Sequence, residues 1–84
     1  MKILHIIRHL EDTRAIETAR QQISGHEVTL LLLHDAVLSP PSFAGKVYAG
    51  LADVEARTPR PGYETLDYPE IVRLICENDK VVSW

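Results

Sequence analysis

The stretch VTLLLL, residues 28–33, is the strongest indication of the fold class. Its single polar residue, Thr29, leaves no alternation between apolar and polar positions, which a strand with one wet face would show. A short, nearly continuous apolar run is typical of a strand buried on both faces. Such strands belong to parallel sheets that helices cover on both sides, so this stretch predicts an α/β domain.

The chain before this strand predicts a strand followed by a helix. Residues 3–7 are apolar apart from His5, and Asp12 or Thr13 can cap a helix through its side-chain oxygen. Gly25 stands where a left-handed glycine would end that helix. The apolar positions of the helix recur at helical spacing: Ala15, Ile16, Ala19 and Ile23.

The chain after this strand continues the alternation of strand and helix. It predicts a helical turn at 35–38, a strand at 46–49, a helix at 51–57 and a loop rich in proline at 58–63. A short strand at 65–66, a helix at 67–78 and a final strand at 80–84 are predicted to follow. Asp67 and Glu70 fit a capping box with Pro69 in the first helical turn. The buried stripe of that helix is predicted from three apolar residues: Ile71, Leu74 and Ile75. The alternation predicts a mainly parallel sheet.

Length and composition restrict the class of protein. The 84 residues make one domain, 1–84, which buries little surface for its size and therefore favours oligomerisation. The net charge of −3, with Lys and Arg scattered, argues against direct nucleic-acid binding. The apolar runs are too short for a signal peptide or a membrane span, so we expect a cytoplasmic protein with no membrane contact.

Three stretches of the chain resemble the DsrE/DsrF/DsrH sulfur-relay superfamily, and specifically its DsrH/TusB-like branch. LLLLHDAV is similar to the family's strand followed by "QDGV", and KVYAGLADVEAR is similar to its "KVYAL-x-x-D-x-x-ARG" segment. LDYPEIVRLICENDKVVSW resembles its closing "DY-x-x-FV-x-L" segment with a final Trp. The resemblance covers residues 27–57 and 64–84.

This resemblance implies a three-layer α/β/α fold with a mainly parallel five-stranded sheet. It also implies a small subunit that assembles with DsrE/TusD-like and DsrF/TusC-like partners and relays persulfide sulfur, without a cofactor of its own. The sulfur would serve 2-thiolation of tRNA wobble uridine or sulfur oxidation. His34, Ala36 and Thr58 stand where the family usually has Gln, Gly and Gly. The first helix lacks the cysteine that some DsrH chains carry, which favours a structural rather than a sulfur-carrying subunit.

Cys76 is the only cysteine, so an internal disulfide and a cysteine-rich zinc site are excluded. A sulfur carrier needs an accessible thiolate. Cys76 is predicted in the last helical turn beside Glu77 and Asp79, where the helix dipole and both carboxylates disfavour a thiolate. We interpret Cys76 as a small apolar residue of a packed helix. The alternative is that Cys76 carries persulfide sulfur.

The histidines raise two further hypotheses. His9 and His34 follow neighbouring strands and are expected at the carboxyl edge of the sheet, where Asp35 adds a carboxylate. No pair has zinc-site spacing, so no metal is predicted. His34 and Asp35 are interpreted as pocket or interface residues, with a capped turn as the alternative, and His9 is a candidate for weak anion binding before a helix start. Arg8-His9 resembles the start of a histidine phosphatase, but Leu10 replaces the required glycine, so His9 is not interpreted as a nucleophile.

The aromatic residues Tyr48, Tyr68 and Trp84 do not alternate with basic residues, so they are interpreted as half-buried packing or interface positions rather than an RNA stacking platform.

The sequence as a whole predicts a non-catalytic subunit of a sulfur-relay complex. The alternatives are a sulfur carrier acting through Cys76 and a homo-oligomer that binds a small anion near His9 and His34.

Overall fold

The computed structural model describes residues 1–39, 41–57 and 64–84. These residues form an α/β domain with an all-parallel five-stranded sheet of order β4-β3-β2-β1-β5, which confirms the predicted fold class. The elements in chain order are β1 Lys2–Ile7, α1 Thr13–Gln22, β2 Glu27–Leu32, a 3₁₀ helix His34–Leu38, β3 Lys46–Gly50, α2 Leu51–Arg57, β4 Glu64–Leu66, α3 Tyr68–Glu77 and β5 Lys80–Ser83. The predicted loop at 58–63 lies outside the described residues.

The stretch that predicted the fold is the centre of the sheet. β2 lies between β1 and β3, and all of its residues after Glu27 are buried. In a parallel pair, partnered residues point to the same face of the sheet. Ile3, Val28 and their neighbours at every second position therefore share one face, while Leu4 and Thr29 share the other.

The α1 face is the face of the sheet that carries the main core. Residues from α1 and α2 pack there with residues of β1, β2 and β3. The buried members of this cluster are Ile3, Ile7, Ala15, Ala19, Val28, Leu30, Leu32, Ala36, Val37, Ala49 and Val54. The small side chains of Ala15 and Ala19 allow α1 to approach the strands closely, which is why both are fully buried.

The α3 face is the opposite side of the sheet. A side chain on Gly50 would point to this face, and its Cβ would lie 3.8 Å from the Cδ1 atom of Ile71 in α3. The chain crosses from β4, at one edge of the sheet, to β5, at the other edge, and α3 is the helix of this crossover. A right-handed crossover in that direction places its helix opposite to α1 and α2.

Both longer helices begin at predicted caps. The Asp12 carboxylate accepts from the backbone N–H of Ala15 at 3.2 Å. Asp67 accepts from the backbone N–H of Glu70 at 3.0 Å, and the Glu70 carboxylate accepts from that of Asp67 at 3.1 Å, which confirms the capping box. The prediction for Gly25 is wrong, because no described glycine has a positive φ. α1 ends at Gln22, and its C-cap residue Ile23 has a right-handed conformation.

A buried polar contact on the α1 face joins β5 to β1. His5 is fully buried, and its Nδ1 accepts from the indole Nε1–H of Trp84 at 3.0 Å. Since the indole nitrogen can only donate, the imidazole proton resides on Nε2, which donates to Oε1 of Gln22 at 2.5 Å. The Trp84 backbone N–H also donates to the Ile6 carbonyl at 2.9 Å. His5 is therefore a structural residue of the core.

None of the helices in the described ranges is long and apolar enough to cross a membrane.

Candidate functional site

Two surfaces of the molecule qualify as functional candidates: the carboxyl edge of the sheet and the outer side of α3. Parallel α/β domains place their sites at the carboxyl edge, because the loops and helix starts that follow the strands meet there. β1 and β2 are neighbours whose last residues, Ile7 and Leu32, are partners in register. His9 and His34 each follow two residues later and are exposed, so both lie at this edge as predicted.

His34 adopts a left-handed backbone conformation with φ of 51°. This conformation is uncommon for a residue with a side chain, although histidine tolerates it better than most. It turns the chain from β2 into the 3₁₀ helix His34–Leu38. The unusual backbone of His34 therefore has a structural reason, which is the sharp change of direction at the end of the central strand.

Asp35 is part of an ion-pair cluster at the same edge. Arg57, near the end of α2, donates from Nε to the Asp35 carboxylate at 3.1 Å and from Nη1 to the Asp53 carboxylate at 3.4 Å. The Asp35 side chain is largely exposed, whereas Arg57 and Asp53 are partly buried. Asp35 therefore joins the 3₁₀ helix to α2, and Arg57 neutralises one of the two carboxylates.

Within residues 1–39, 41–57 and 64–84, no group of three or more His, Cys, Asp or Glu side chains is arranged to hold a metal ion.

A crevice lies at the carboxyl ends of β3 and β4. β3 leads directly into α2 on the α1 face, and β4 leads into α3 on the opposite face, so the chain diverges between two neighbouring strands. Such a switch point is where open parallel sheets bind ligands. The cavity has a volume of about 230 Å³. Its lining comes from three strand ends and two helix starts: Leu33, Gly50, Leu51, Ala52, Asp53, Leu66, Tyr68 and Ile71.

Register explains why these residues meet. Gly50 of β3 is the register partner of Leu66 of β4. The residue before it, Ala49, is the partner of Leu32 of β2, so Gly50 lies beside Leu33. All three therefore point to the α3 face at the end of their strands. A Cβ on Gly50 would lie 2.7 Å from the Cδ2 atom of Leu33 and 3.0 Å from an Asp53 carboxylate oxygen. The absence of a side chain at Gly50 thus keeps the floor of the crevice open.

The second candidate surface is on α3 itself. The sequence predicted that Ile71, Leu74 and Ile75 are buried, and this prediction is wrong, since α3 has no buried residue. Ile71 and Leu74 are half-buried, and Ile75 is 36% exposed. The physical reason is that no other described helix lies beside α3 on this face, so the sides of α3 stay open to water. Five strands span about 19 Å between the outermost axes, whereas one helix covers about 10 Å.

The α3 surface is defined by Tyr68, Val72, Ile75 and Cys76, which share one side of the helix at positions i, i+4, i+7 and i+8. Tyr68 is 78% and Val72 42% exposed. Val81 of β5 points to the same face of the sheet, because its partner is Leu4, and it is 40% exposed. Apolar side chains of the helix and of an edge strand are thus both exposed on the α3 face of the sheet.

Cys76 belongs to this surface and is exposed. This exposure argues against a packing role for Cys76. The helix buries only the side that carries Ile71 and Leu74, and Cys76 lies on a different side. Its thiol meets the requirement of access that a sulfur carrier has, although it remains in the last turn of the helix beside Glu77.

The three predicted aromatic interface residues lie in different environments. Tyr48 is half-buried on the α3 face, and Tyr68 is the most exposed large apolar residue of the α3 surface. Trp84 is half-buried against the core, with its ring 6.1 Å from that of His5 between centroids and inclined by 27°. Tyr68 is thus available to a partner, whereas Trp84 packs within the domain.

Sequence reasoning missed the crevice and the contribution of Val81. A glycine at the end of a predicted strand, immediately before a helix, is a signal that could have pointed to the crevice. No comparable signal exists for Val81, because its exposure depends on the order of strands in the sheet.

No protein-family model matches the chain, and no curated protein matches it.

Proposed function

We propose that the chain is a non-catalytic subunit of a heteromeric complex that relays persulfide sulfur. Its partners would be small α/β chains similar to the DsrE/TusD and DsrF/TusC subunits, one of which carries the reactive cysteine. The resemblance of residues 27–57 and 64–84 to the DsrH/TusB-like branch supports a sulfur-relay pathway. The exposed apolar α3 surface is the structural observation that supports a role in assembly.

The exposure of the α3 surface supports assembly because its burial would be favourable. Each Å² of apolar area removed from water contributes about 25 cal/mol to the free energy of association. Val72 and Ile75 are exposed in the isolated chain, so a partner that covers them would gain this contribution. Proteins that act alone rarely keep such residues together at the surface. Val81 adds an exposed apolar side chain on the same face of the sheet, from the edge strand β5.

The proposal is tested by affinity purification of the tagged chain from cells that express it, followed by mass spectrometry of the co-eluting proteins. We expect two small α/β chains, one of them with an exposed cysteine. Val72→Arg should abolish their co-elution, because it places a charge in the centre of the α3 surface. Leu38→Arg is the matched control, since Leu38 is similarly exposed, at 48%, but belongs to the 3₁₀ helix.

A chain that elutes alone, or a Val72→Arg variant that retains its partners, would contradict the assembly role. Cys76→Ser tests the non-catalytic part of the proposal. We expect it to leave sulfur transfer by the reconstituted complex unchanged, and a complete loss of transfer would show that the thiol is required.

The exposure of Cys76 favours a second candidate function, in which this thiol itself carries sulfur. Incubation of the purified chain with a cysteine desulfurase and cysteine would then add the mass of one sulfur atom to the intact protein. The adduct should be absent from Cys76→Ser and should disappear when an acceptor thiol is added. An unmodified chain under these conditions would exclude this second function.

A further inference from the structure

We propose that the crevice between β3 and β4 is a docking site for one apolar side chain in a basic segment of a partner protein. This inference rests on the proposed function in one respect, namely that the segment belongs to a partner of the assembly. It is carried by different observations from the α3 surface: the size of the crevice, its apolar lining and the charges around it.

The size of the crevice selects a single side chain. Pockets for cofactors and drug-sized ligands usually have volumes of roughly 300–1,000 Å³, whereas this crevice has about 230 Å³. An aliphatic side chain such as leucine or methionine fits this space, and a nucleotide does not.

The lining of the crevice selects an apolar group. Four of its eight lining residues carry large aliphatic side chains: Leu33, Leu51, Leu66 and Ile71. Helix starts often attract anions through free backbone N–H groups, but at α3 the carboxylates of Asp67 and Glu70 already accept from those groups. Two N–H groups at the start of α3 are therefore already paired, and the negative charge of these two carboxylates disfavours an anionic ligand there.

The charges around the crevice select a basic segment. Asp53 lines the crevice, Asp67 lies between Leu66 and Tyr68, and Glu70 precedes Ile71. Arg57 is already shared between Asp53 and Asp35. Among the described residues that line the crevice or adjoin its lining in sequence, carboxylates outnumber Lys and Arg, so basic residues on either side of the docked side chain would find complementary charge. The exposed ring of Tyr68 offers an additional contact for a cation.

The test is a titration of the ¹⁵N-labelled chain with end-blocked tripeptides, followed by ¹H–¹⁵N NMR spectra. Lys-Leu-Lys should shift the amide signals of Gly50, Leu51 and Ala52 with a dissociation constant in the millimolar range. Lys-Ala-Lys should bind about tenfold more weakly, because it lacks the anchoring side chain. Glu-Leu-Glu should also bind about tenfold more weakly, because attraction is replaced by repulsion on both sides.

A pair of variants separates docking in the crevice from contact elsewhere. Ala52→Phe places a ring at the opening and should remove the binding of Lys-Leu-Lys, whereas Ala56→Phe, one helical turn further along α2, should retain it. Both positions are exposed, so neither change disturbs the core. Asp53→Asn keeps the shape of the crevice and should reduce the difference between Lys-Leu-Lys and Glu-Leu-Glu by about threefold.

Equal binding of the three peptides, equal effects of the two phenylalanine variants, or no shift with Lys-Leu-Lys would overturn the proposal. The peptide titration contains no partner complex, and the affinity purification does not depend on Ala52. Failure of the docking site and failure of the assembly role are therefore distinguishable.

Discussion

The α1 face and the α3 face of the sheet differ in how completely helices cover them. On the α1 face, α1, α2 and the 3₁₀ helix together form a core that includes fully buried helix residues such as Ala15 and Ala19. On the α3 face, one helix covers the central strands, so that Leu4 and Leu31 are buried while no residue of the helix is. The α1 face supplies stability, and the α3 face leaves apolar area for association.

Connectivity explains this difference. The chain moves outward from β1 to β4 in three steps and places the intervening helices on the α1 face. It returns to β5 in one step, which supplies only α3 to the opposite face. A domain of this size buries a smaller fraction of its surface on folding than a larger domain does. The incomplete cover of the α3 face therefore lowers the stability of the isolated chain, and a partner on this face would restore it.

The largest expected effect compares one isoleucine from each face. Ile7→Ala should lower the free energy of unfolding by about 2–5 kcal/mol, because Ile7 is fully buried and its loss leaves a cavity. Ile75→Ala should lower it by less than about 1.5 kcal/mol, because Ile75 is partly in water already. Urea denaturation monitored by circular dichroism measures both. Equal losses would show that the two faces are equally packed. If Ile7→Ala does not fold, Ile7→Val supplies a milder comparison.

The second-largest expected effect on the free energy of unfolding comes from the hydrogen bond between His5 and Trp84. Trp84→Phe leaves the Nδ1 atom of His5 without its donor and should cost about 1–3 kcal/mol. The double variant His5→Phe with Trp84→Phe removes both partners, and its loss should be smaller than the sum of the two single losses. Strictly additive losses in this double-mutant cycle would mean that the hydrogen bond does not couple the two residues.

The helix caps provide a third comparison between the faces. Asp67→Ala removes the capping box of α3, and Asp12→Ala removes the cap of α1. Each should cost about 1 kcal/mol in urea denaturation. Loss of the α3 cap should also increase the hydrogen-exchange rates of the α3 amides selectively, because fewer buried contacts hold that helix. Uniform exchange rates along the chain would argue against this difference.

The smallest effect concerns Glu11, which has a left-handed backbone with φ of 52° at the entrance to α1. Glu11→Gly should raise the free energy of unfolding by up to about 1 kcal/mol, because glycine adopts this conformation without strain. Glu17→Gly is a suitable control, since Glu17 lies within α1 and the same change there should destabilise the helix by about 1 kcal/mol. A destabilised Glu11→Gly variant would show that the Glu11 side chain compensates for its backbone.

Much of the fold could be predicted because it depends on local patterns. The apolar run at 28–33 and the capping residues Asp12 and Asp67 identify strands and helices from adjacent residues alone. The positions of His9 and His34 at the carboxyl edge followed from the same assignment, because both come directly after strands. The candidate sites were less predictable, since burial on α3 and the walls of the crevice depend on residues distant in the chain.

The elements of this protein, their caps and the parallel sheet follow from local sequence patterns, because hydrophobic periodicity and capping chemistry act over a few residues. Three features are visible only in the folded domain: β5 joins β1 at the edge of the sheet, α3 is the one described helix on its face, and Leu33, Gly50 and Leu66 form one row. These features depend on strand order and register, which come from contacts between distant parts of the chain. The exposure of Val72 and Cys76, and the crevice beside Gly50, follow from that arrangement.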